Sequence, residues 1–354
     1  MKPPEFYIGH CPIGTNHPPM IVAELSGNHH TSLQRALKMV EAAKKSGVTA
    51  IKLQTYTPDT ITLNIHEGDF VIRDHSSLWY GKTLYDLYKE AYTPWDWHKP
   101  IFDRCRELGL IAFSSPFDET AVDFLESFDV PCYKIASLEI VDLPLIRKAA
   151  ATGKPLILST GAASLEEIAL AVETARNAGC KHLILLKCTL AYPSTPSDCH
   201  LRTIPHLAES FNTHIGLSDH TLSLGVPIAS VALGACLIEK HFTLSRADGD
   251  VDGPFSLEPH EFTSLVEESR KAWESLGTIR YTPLPSEKTS LSHRPSLFFI
   301  ADLEAGTAVE EGHIKTLRPN SGLAPKELPN VIGKQLLCPV KKGTPVAWHL
   351  FNGK

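Results

Sequence analysis

Residues 20–54 read MIVAELSGNHHTSLQRALKMVEAAKKSGVTAIKLQ, and this stretch holds one complete β-α-β unit. Met20–Glu24 and Ala50–Gln54 are short, mostly apolar runs of strand length. Between them, Ser32–Ser46 carries the apolar spacing of a helix. Ser32 suits the N-cap, because its hydroxyl accepts an amide that the first helical turn leaves unpaired, and Gly47 suits the stop. The unit recurs. Ile111–Ser115, Cys132–Ala136, Pro155–Ser159, His182–Lys187, His214–Ser218 and Cys236–His241 are further strand-like runs, with helical segments such as Leu165–Ala178 and Leu224–Gly234 between them. Eight β-α units within residues 1–277, without a dinucleotide-type glycine fingerprint, predict an α/β fold, the (β/α)8 TIM barrel. An open doubly wound sheet is the alternative.

The insertion from Pro58 to Trp97 is rich in aromatic residues and reads as a long excursion over the barrel mouth. Trp79, Tyr80, Tyr85, Tyr88, Trp95 and Trp97 are read first as packing for that excursion, with stacking on a sugar as the alternative. Residues 278–294, with Pro283, Pro285 and several Ser and Thr, read as a linker. Residues 295–354 then carry short β runs, Ser296–Ala301, His313–Leu317 and Gln335–Val340, separated by glycine turns. So small a module has a marginal core of its own, and is expected to dock on its own barrel or on a partner subunit.

The 354 residues are 43% hydrophobic and 21% charged, with a formal net charge of -6. A nucleic-acid surface normally needs a basic excess, so none is expected. Met1-Lys2-Pro3-Pro4-Glu5 leads into no apolar secretory segment, and the stretch Gly225–Ile238 is too short to cross a bilayer. The eight cysteines are scattered with no CxxC pair, which suits free thiols in a reducing compartment. The expectation is a cytoplasmic protein without membrane or nucleic-acid partners.

In a TIM barrel the chemistry sits at the C-terminal ends of the strands. The runs end on Glu24, Lys52 with Gln54, Ser114 with Ser115, Lys134 with Ser137, Ser159 with Thr160, Lys187, Asp219-His220, and Glu239-Lys240-His241. Polar groups at one end of every strand predict a single polar pocket. His220 and His241 end adjacent strands, close enough to share a metal ion, with Glu239 on the same strand face as His241. A mixed site of imidazole, water and substrate oxygen suits Mn2+, with Mg2+ or Co2+ as substitutes. Ordinary buried histidines bonded to backbone are the plainer reading. Lys52 and Lys134 inside apolar strands are costly unless paired. A salt bridge, to Glu24 for instance, is one reading. With Ser115, Ser137, Ser159 and Thr160 nearby, an anion cradle for a phosphate is the other. A Schiff-base lysine is the mechanistic alternative.

Seven stretches together resemble the sialic acid synthase family, over nearly the whole chain. They are Ala23-Glu24-Leu25-Ser26-Gly27-Asn28-His29, Ile51-Lys52-Leu53-Gln54-Thr55, Ser114-Ser115-Pro116-Phe117-Asp118, Tyr133-Lys134-Ile135-Ala136-Ser137, Leu158-Ser159-Thr160-Gly161, Gly216-Leu217-Ser218-Asp219-His220-Thr221 and Glu239-Lys240-His241-Phe242-Thr243. The C-terminal module, with Leu317-Arg318-Pro319 and Gly322-Leu323, is similar to the antifreeze-protein-like SAF domain that ends these enzymes. The resemblance implies a barrel with a cap, in a domain-swapped homodimer where each cap closes the partner's barrel. It implies that C3 of phosphoenolpyruvate attacks an open-chain amino-sugar aldehyde, water adds at C2, and phosphate leaves by C–O cleavage. By motif, His220 and His241 ligate the metal, and Lys52, Lys134, Ser137, Ser159 and Ser115 hold phosphoenolpyruvate. Glu24, Gln54, Tyr192 and Asp252 then face the sugar or reacting centre, and Arg318 reaches in from the partner's cap.

Two departures stand out. Leu190 occupies the position where many relatives carry Asn, and Tyr192-Pro193-Ser194-Thr195-Pro196 has one residue more than their Tyr-Pro-x-Pro. Asn320 replaces the glycine usual after Arg318-Pro319. Two other stretches, Leu25-Ser26-Gly27-Asn28-His29-His30 and Gly249–Ser256, are closer to the pseudaminic acid synthases of the family than to its N-acetylneuraminate synthases. The implied acceptor is 2,4-diacetamido-2,4,6-trideoxy-β-L-altrose. An N-acetylmannosamine-type acceptor, as in an N-acetylneuraminate or legionaminate synthase, is the alternative. A metal-dependent aldolase or hydrolase, and a non-enzymatic sugar-binding protein, are the readings from other classes.

Overall fold

The computed structural model describes residues 3–352. The chain divides into two compact units, Met1–Gly277 and Thr278–Lys354.

The first unit opens with a hairpin, β1 (Phe6–Ile8) and β2 (Cys11–Ile13). Eight parallel strands follow: β3 (Met20–Glu24), β4 (Ala50–Thr55), β5 (Ile111–Pro116), β6 (Tyr133–Ile135), β7 (Leu156–Ser159), β8 (Leu183–Cys188), β9 (His214–Asp219) and β10 (Leu237–His241). They close into a barrel in which β10 pairs with β3, so the open doubly wound sheet is excluded. Each strand lies within one residue of its expected ends. The first helix, Leu33–Lys45, starts where the sequence places it: the Ser32 side chain accepts from the Arg35 amide at 3.3 Å. It ends at Lys45 with Ser46 as its C-cap, and Gly47 just beyond takes φ +83°. Its buried face, Ala36, Met39, Val40 and Ala43, packs on the barrel wall.

The hairpin has no counterpart among the expected strands, since two three-residue runs fall below any periodicity signal. It buries Phe6, Ile8 and Ile13 against interior residues such as Met20, Ala50, Ile157 and Leu237. These lie at the N-terminal ends of the strands, so the hairpin floors the barrel and leaves the opposite end for chemistry. The insertion forms short helices at Pro58–Ile61 and Leu84–Ala91. Trp95 and Trp97 belong instead to the barrel helix Trp95–Glu107, where Trp95 stacks on Phe124 with ring centroids 4.4 Å apart.

In the second unit the stretch expected to be a plain linker contains a 3-10 turn, Pro285–Glu287, running into a short helix, Lys288–Leu291, and leaves Ile279 and Tyr281 exposed. Antiparallel β11 (Ser296–Phe299) and β12 (Ile314–Leu317) pair over a core that includes Leu297, Phe299, Val309, Val331 and Val346. The third expected strand, Gln335–Val340, is not one. Gln335, Leu336 and Val340 make only isolated bridges, to Ala308, Phe351 and Leu303. Pro339, which has no amide hydrogen, breaks any ladder there. Among the described residues no helix is long and apolar enough to cross a membrane.

Candidate active site

Strand register sets the site. His241, Glu24 and Lys52 are Cα partners across β10, β3 and β4, so they stand side by side at one level of the barrel. Side chains alternate along a strand. Glu239 and His241 therefore point inward on β10, as do Lys52 and Gln54 on β4. They converge on a cavity of about 450 Å³ at the C-terminal end of the barrel. Ten of the twelve residues proposed from the sequence meet there. Lys52, Gln54, Lys134, Ser137, Ser159, Tyr192, His220, His241 and Asp252 line it, and Glu24 lies directly beneath, fully buried. Ser115 is also one layer down and accepts from Lys52 Nζ at 3.3 Å. Arg318 is not among them: it is an exposed residue of the second unit, following β12.

The deep part is an alternating charge array. Lys52 Nζ lies 2.5 Å from Glu24 Oε2 and 3.6 Å from Glu239 Oε1, and Lys134 Nζ lies 3.3 Å from the same Glu239 oxygen. The salt bridge and the anion cradle are thus one arrangement, with each lysine held by a carboxylate. Burial dominates at Glu24 and raises its pKa despite Lys52. At Glu239 burial pushes the same way, but Lys134 and Lys52 outweigh it and keep it ionised. Both lysines share the Glu239 carboxylate, and burial lowers the Lys134 pKa despite it. Ser159 Oγ, Glu24 Oε1 and Glu239 Oε2 are buried without a hydrogen-bond partner. Unpaired buried groups of this kind mark a place a ligand completes. The Gly161 amide donates to Ser137 Oγ at 3.1 Å. A Cβ on Gly161 would sit 2.8 Å from that oxygen, so the turn needs glycine to bring its backbone so close.

The upper part is aromatic and imidazole. The His220 and His241 rings are 5.3 Å apart, with Phe255 and Tyr192 against them. His220 Nδ1 bonds to the Thr189 carbonyl at 2.8 Å, which directs Nε2 away from that loop. His241 Nδ1 is buried without a hydrogen-bond partner, 4.0 Å from Asp252 Oδ2. Burial first, then the neighbouring positive groups, hold His241 well below the ordinary imidazole pKa, in the neutral form that ligates metal. Among the described residues no group of three or more His, Cys, Asp or Glu is arranged to hold an ion. The two imidazoles are the available protein donors, and water or substrate oxygen would complete a divalent ion's shell. Asp252 is fixed by Ser26 Oγ and by the Gly27 amide, and Gln54 Nε2 donates to Ser26 Oγ at 3.0 Å.

The NeuB family model matches residues 39–281 and the SAF domain model residues 294–352. The chain belongs to the NeuB family. It is 44% identical to the pseudaminic acid synthase of Helicobacter pylori, over 93% of this chain and 97% of that one. It is 42% identical to the pseudaminic acid synthase of a Campylobacter jejuni strain, over 89% and 91%. The crystal structure of an N-acetylneuraminic acid synthetase from Leptospira borgpetersenii superposes with a TM-score of 0.73 at 31% identity, covering 82% of this chain and 95% of that one. The protein is therefore an enzyme of the nonulosonic acid synthase type.

The NeuB site also contains residues that the sequence reading passed over. Glu139 lines the cavity with a buried, unpartnered Oε2, and burial raises its pKa. Its position just past a strand end was the available signal. Cys188 lines the cavity as well, on the inward face of β8. Of the insertion aromatics, Trp79 and Tyr88 reach the cavity, and the Trp79 indole donates to the Val251 carbonyl at 3.2 Å. Tyr80 stays half exposed beside His75, and Tyr85 bonds to Asp59. Several polar strand ends face away from the pocket. Ser114 bonds to Thr55, Lys187 to the Cys188 carbonyl, and Asp219 to Lys240. Alternation along each strand sends every second one to the helix layer.

Proposed function

We propose that this NeuB-family enzyme is a pseudaminic acid synthase, condensing phosphoenolpyruvate with 2,4-diacetamido-2,4,6-trideoxy-β-L-altrose and water to give pseudaminic acid and phosphate. The observation that carries the reading is the buried Glu24–Lys52–Glu239–Lys134 array beside two imidazoles. The identity to pseudaminic acid synthases over nine-tenths of the chain selects the acceptor.

Lys52 and Lys134 balance the charge of phosphoenolpyruvate, and Ser137 and Ser159 donate to its oxygens. Ser115 holds Lys52 in place from below. C3 of phosphoenolpyruvate forms the new bond to the aldehyde carbon, water adds at C2, and the C2–O bond breaks as phosphate leaves. Glu24, whose pKa burial raises, moves a proton at the reacting centre. Gln54, Asp252 and Tyr192 hold the sugar. His220 and His241 would hold a divalent ion, Mn2+ by preference with Mg2+ or Co2+ as substitutes, which would supply Lewis acidity for the aldehyde oxygen.

The working unit is a homodimer in which Arg318 from the partner's SAF domain reaches the sugar, since its planar fork suits a carbonyl or paired hydroxyls. Free thiols at all eight cysteines fit a cytoplasmic location. The test is phosphate release from phosphoenolpyruvate with a panel of acceptors. Release should be fastest with the 2,4-diacetamido trideoxy altrose. Faster turnover of N-acetylmannosamine or of the legionaminic precursor would reassign the acceptor.

A further inference from the structure

One buried charge pair remains outside the cavity. Lys240 and Asp219 are Cα partners on β10 and β9, and their side chains point to the helix layer. Lys240 Nζ lies 2.6 Å from Asp219 Oδ2 and 2.5 Å from the Thr221 carbonyl, with side-chain exposures of 0% and 1% for the two residues. Asp219 Oδ1 accepts the Thr221 amide at 2.9 Å, and Oδ2 accepts the Thr221 hydroxyl at 3.1 Å. Both side chains are sealed from solvent.

Its place in the chain gives it a task. The residue after Lys240 is His241, and the residue after Asp219 is His220. The β9–β10 register ends at Lys240 and Asp219 themselves, so no ladder bond ties His220 to the strand of His241. The Thr189 carbonyl and the Ser194 amide fix His220 to the loop on its other side. Beyond the end of that ladder the Lys240 ammonium, gripping both Asp219 and the Thr221 carbonyl, adds a side-chain tie between β10 and the turn that carries His220.

We infer that Lys240 and Asp219 are positioning residues: their ion pair sets the separation of the His220 and His241 imidazoles, and through it the affinity of the pair for a divalent cation. The part concerning the cation rests on the metal reading given above. The part concerning ring separation does not.

The test is the variant Lys240→Met/Asp219→Asn, which removes both charges and leaves neutral groups of similar size. Replacing both members of a buried ion pair is often tolerated where removing one is not. We expect a folded protein with a wild-type melting transition and unchanged phosphoenolpyruvate affinity. Mn2+ affinity, read from the electron paramagnetic resonance signal of the free ion, should fall at least about tenfold, as it does when groups supporting a metal ligand are lost. A crystal structure of the variant should show the two rings displaced from their 5.3 Å separation. A folded double variant with wild-type ring separation and Mn2+ affinity overturns the proposal. Displaced rings in a protein whose wild type binds no Mn2+ would sustain the positioning role and sink the metal reading. If the double variant does not fold, Thr221→Val removes one contact to Asp219 at constant shape. Mn2+ binding should then weaken a few-fold, and unchanged binding overturns the proposal.

Discussion

Lys134→Met removes one positive charge from the floor of the site while keeping the length of the buried stem. In the wild type two ammonium groups face Glu239, which is ionised, and Glu24, which burial pushes toward the neutral form. The variant removes one of the two ammonium groups that would contact the ligand directly. One ion pair at about 4 Å in an effective dielectric of about 20 is worth about 4 kcal/mol before desolvation. The net value of a charge-assisted contact is about 1.5–3 kcal/mol. Phosphoenolpyruvate affinity should therefore fall roughly tenfold to a hundredfold, measured by titration calorimetry on protein shown to be folded by circular dichroism. Lys52→Met should behave similarly, with an added stability cost because it leaves Glu24 without its partner at 2.5 Å. Adding Glu239→Gln to Lys134→Met should recover stability but not phosphoenolpyruvate affinity. Wild-type affinity in both single lysine variants would refute the assignment of the cradle.

Three further outcomes follow from the same geometry. Chelation should abolish turnover with Mn2+ restoring it, and His220→Ala and His241→Ala should each lose Mn2+ binding while staying folded; full turnover in rigorously chelated protein would remove the metal from the account. Arg318→Ala should weaken acceptor use far more than phosphoenolpyruvate binding, and mixing it with His241→Ala subunits should restore activity if the cap serves its partner; no restoration despite subunit exchange would mean each cap serves its own barrel. Burial holds His98 down to about 4 from 6.5, so the unfolded chain binds a proton between these pH values and the fold does not. That histidine should contribute roughly 3 kcal/mol of stability at neutral pH, lost as pH falls from about 6.5 to about 4; His98→Gln should flatten this slope in a series of thermal melts, and an unchanged slope would refute it.

The barrel was legible because its signal is redundant. Each of eight apolar runs had the right length, and the Ser32 cap and Gly47 stop bounded the first helix independently of periodicity. The hairpin Phe6–Ile8/Cys11–Ile13 was not legible, because strands of three residues offer no pattern to count. The strand expected at Gln335–Val340 failed for the opposite reason: the apolar content was there, but Pro339 removed the hydrogen bond. In the site, residue type and strand-end position located Lys52, Lys134, His220 and His241. Position alone did not say which way a side chain faces. Asp219 and Lys240 looked like pocket residues and proved to be one pair in the helix layer. Glu139 follows Ser137 by two residues, yet a lone glutamate past a short strand resembles any solvated loop acid until the fold buries it.

Condensation with C–O cleavage has a direct isotopic readout in phosphoenolpyruvate labelled with 18O at the bridging oxygen. With 2,4-diacetamido-2,4,6-trideoxy-β-L-altrose present, pseudaminic acid should form without the label, together with an equal amount of phosphate carrying it. Label retained in the sugar acid, or phosphate released without a nine-carbon product, would contradict it.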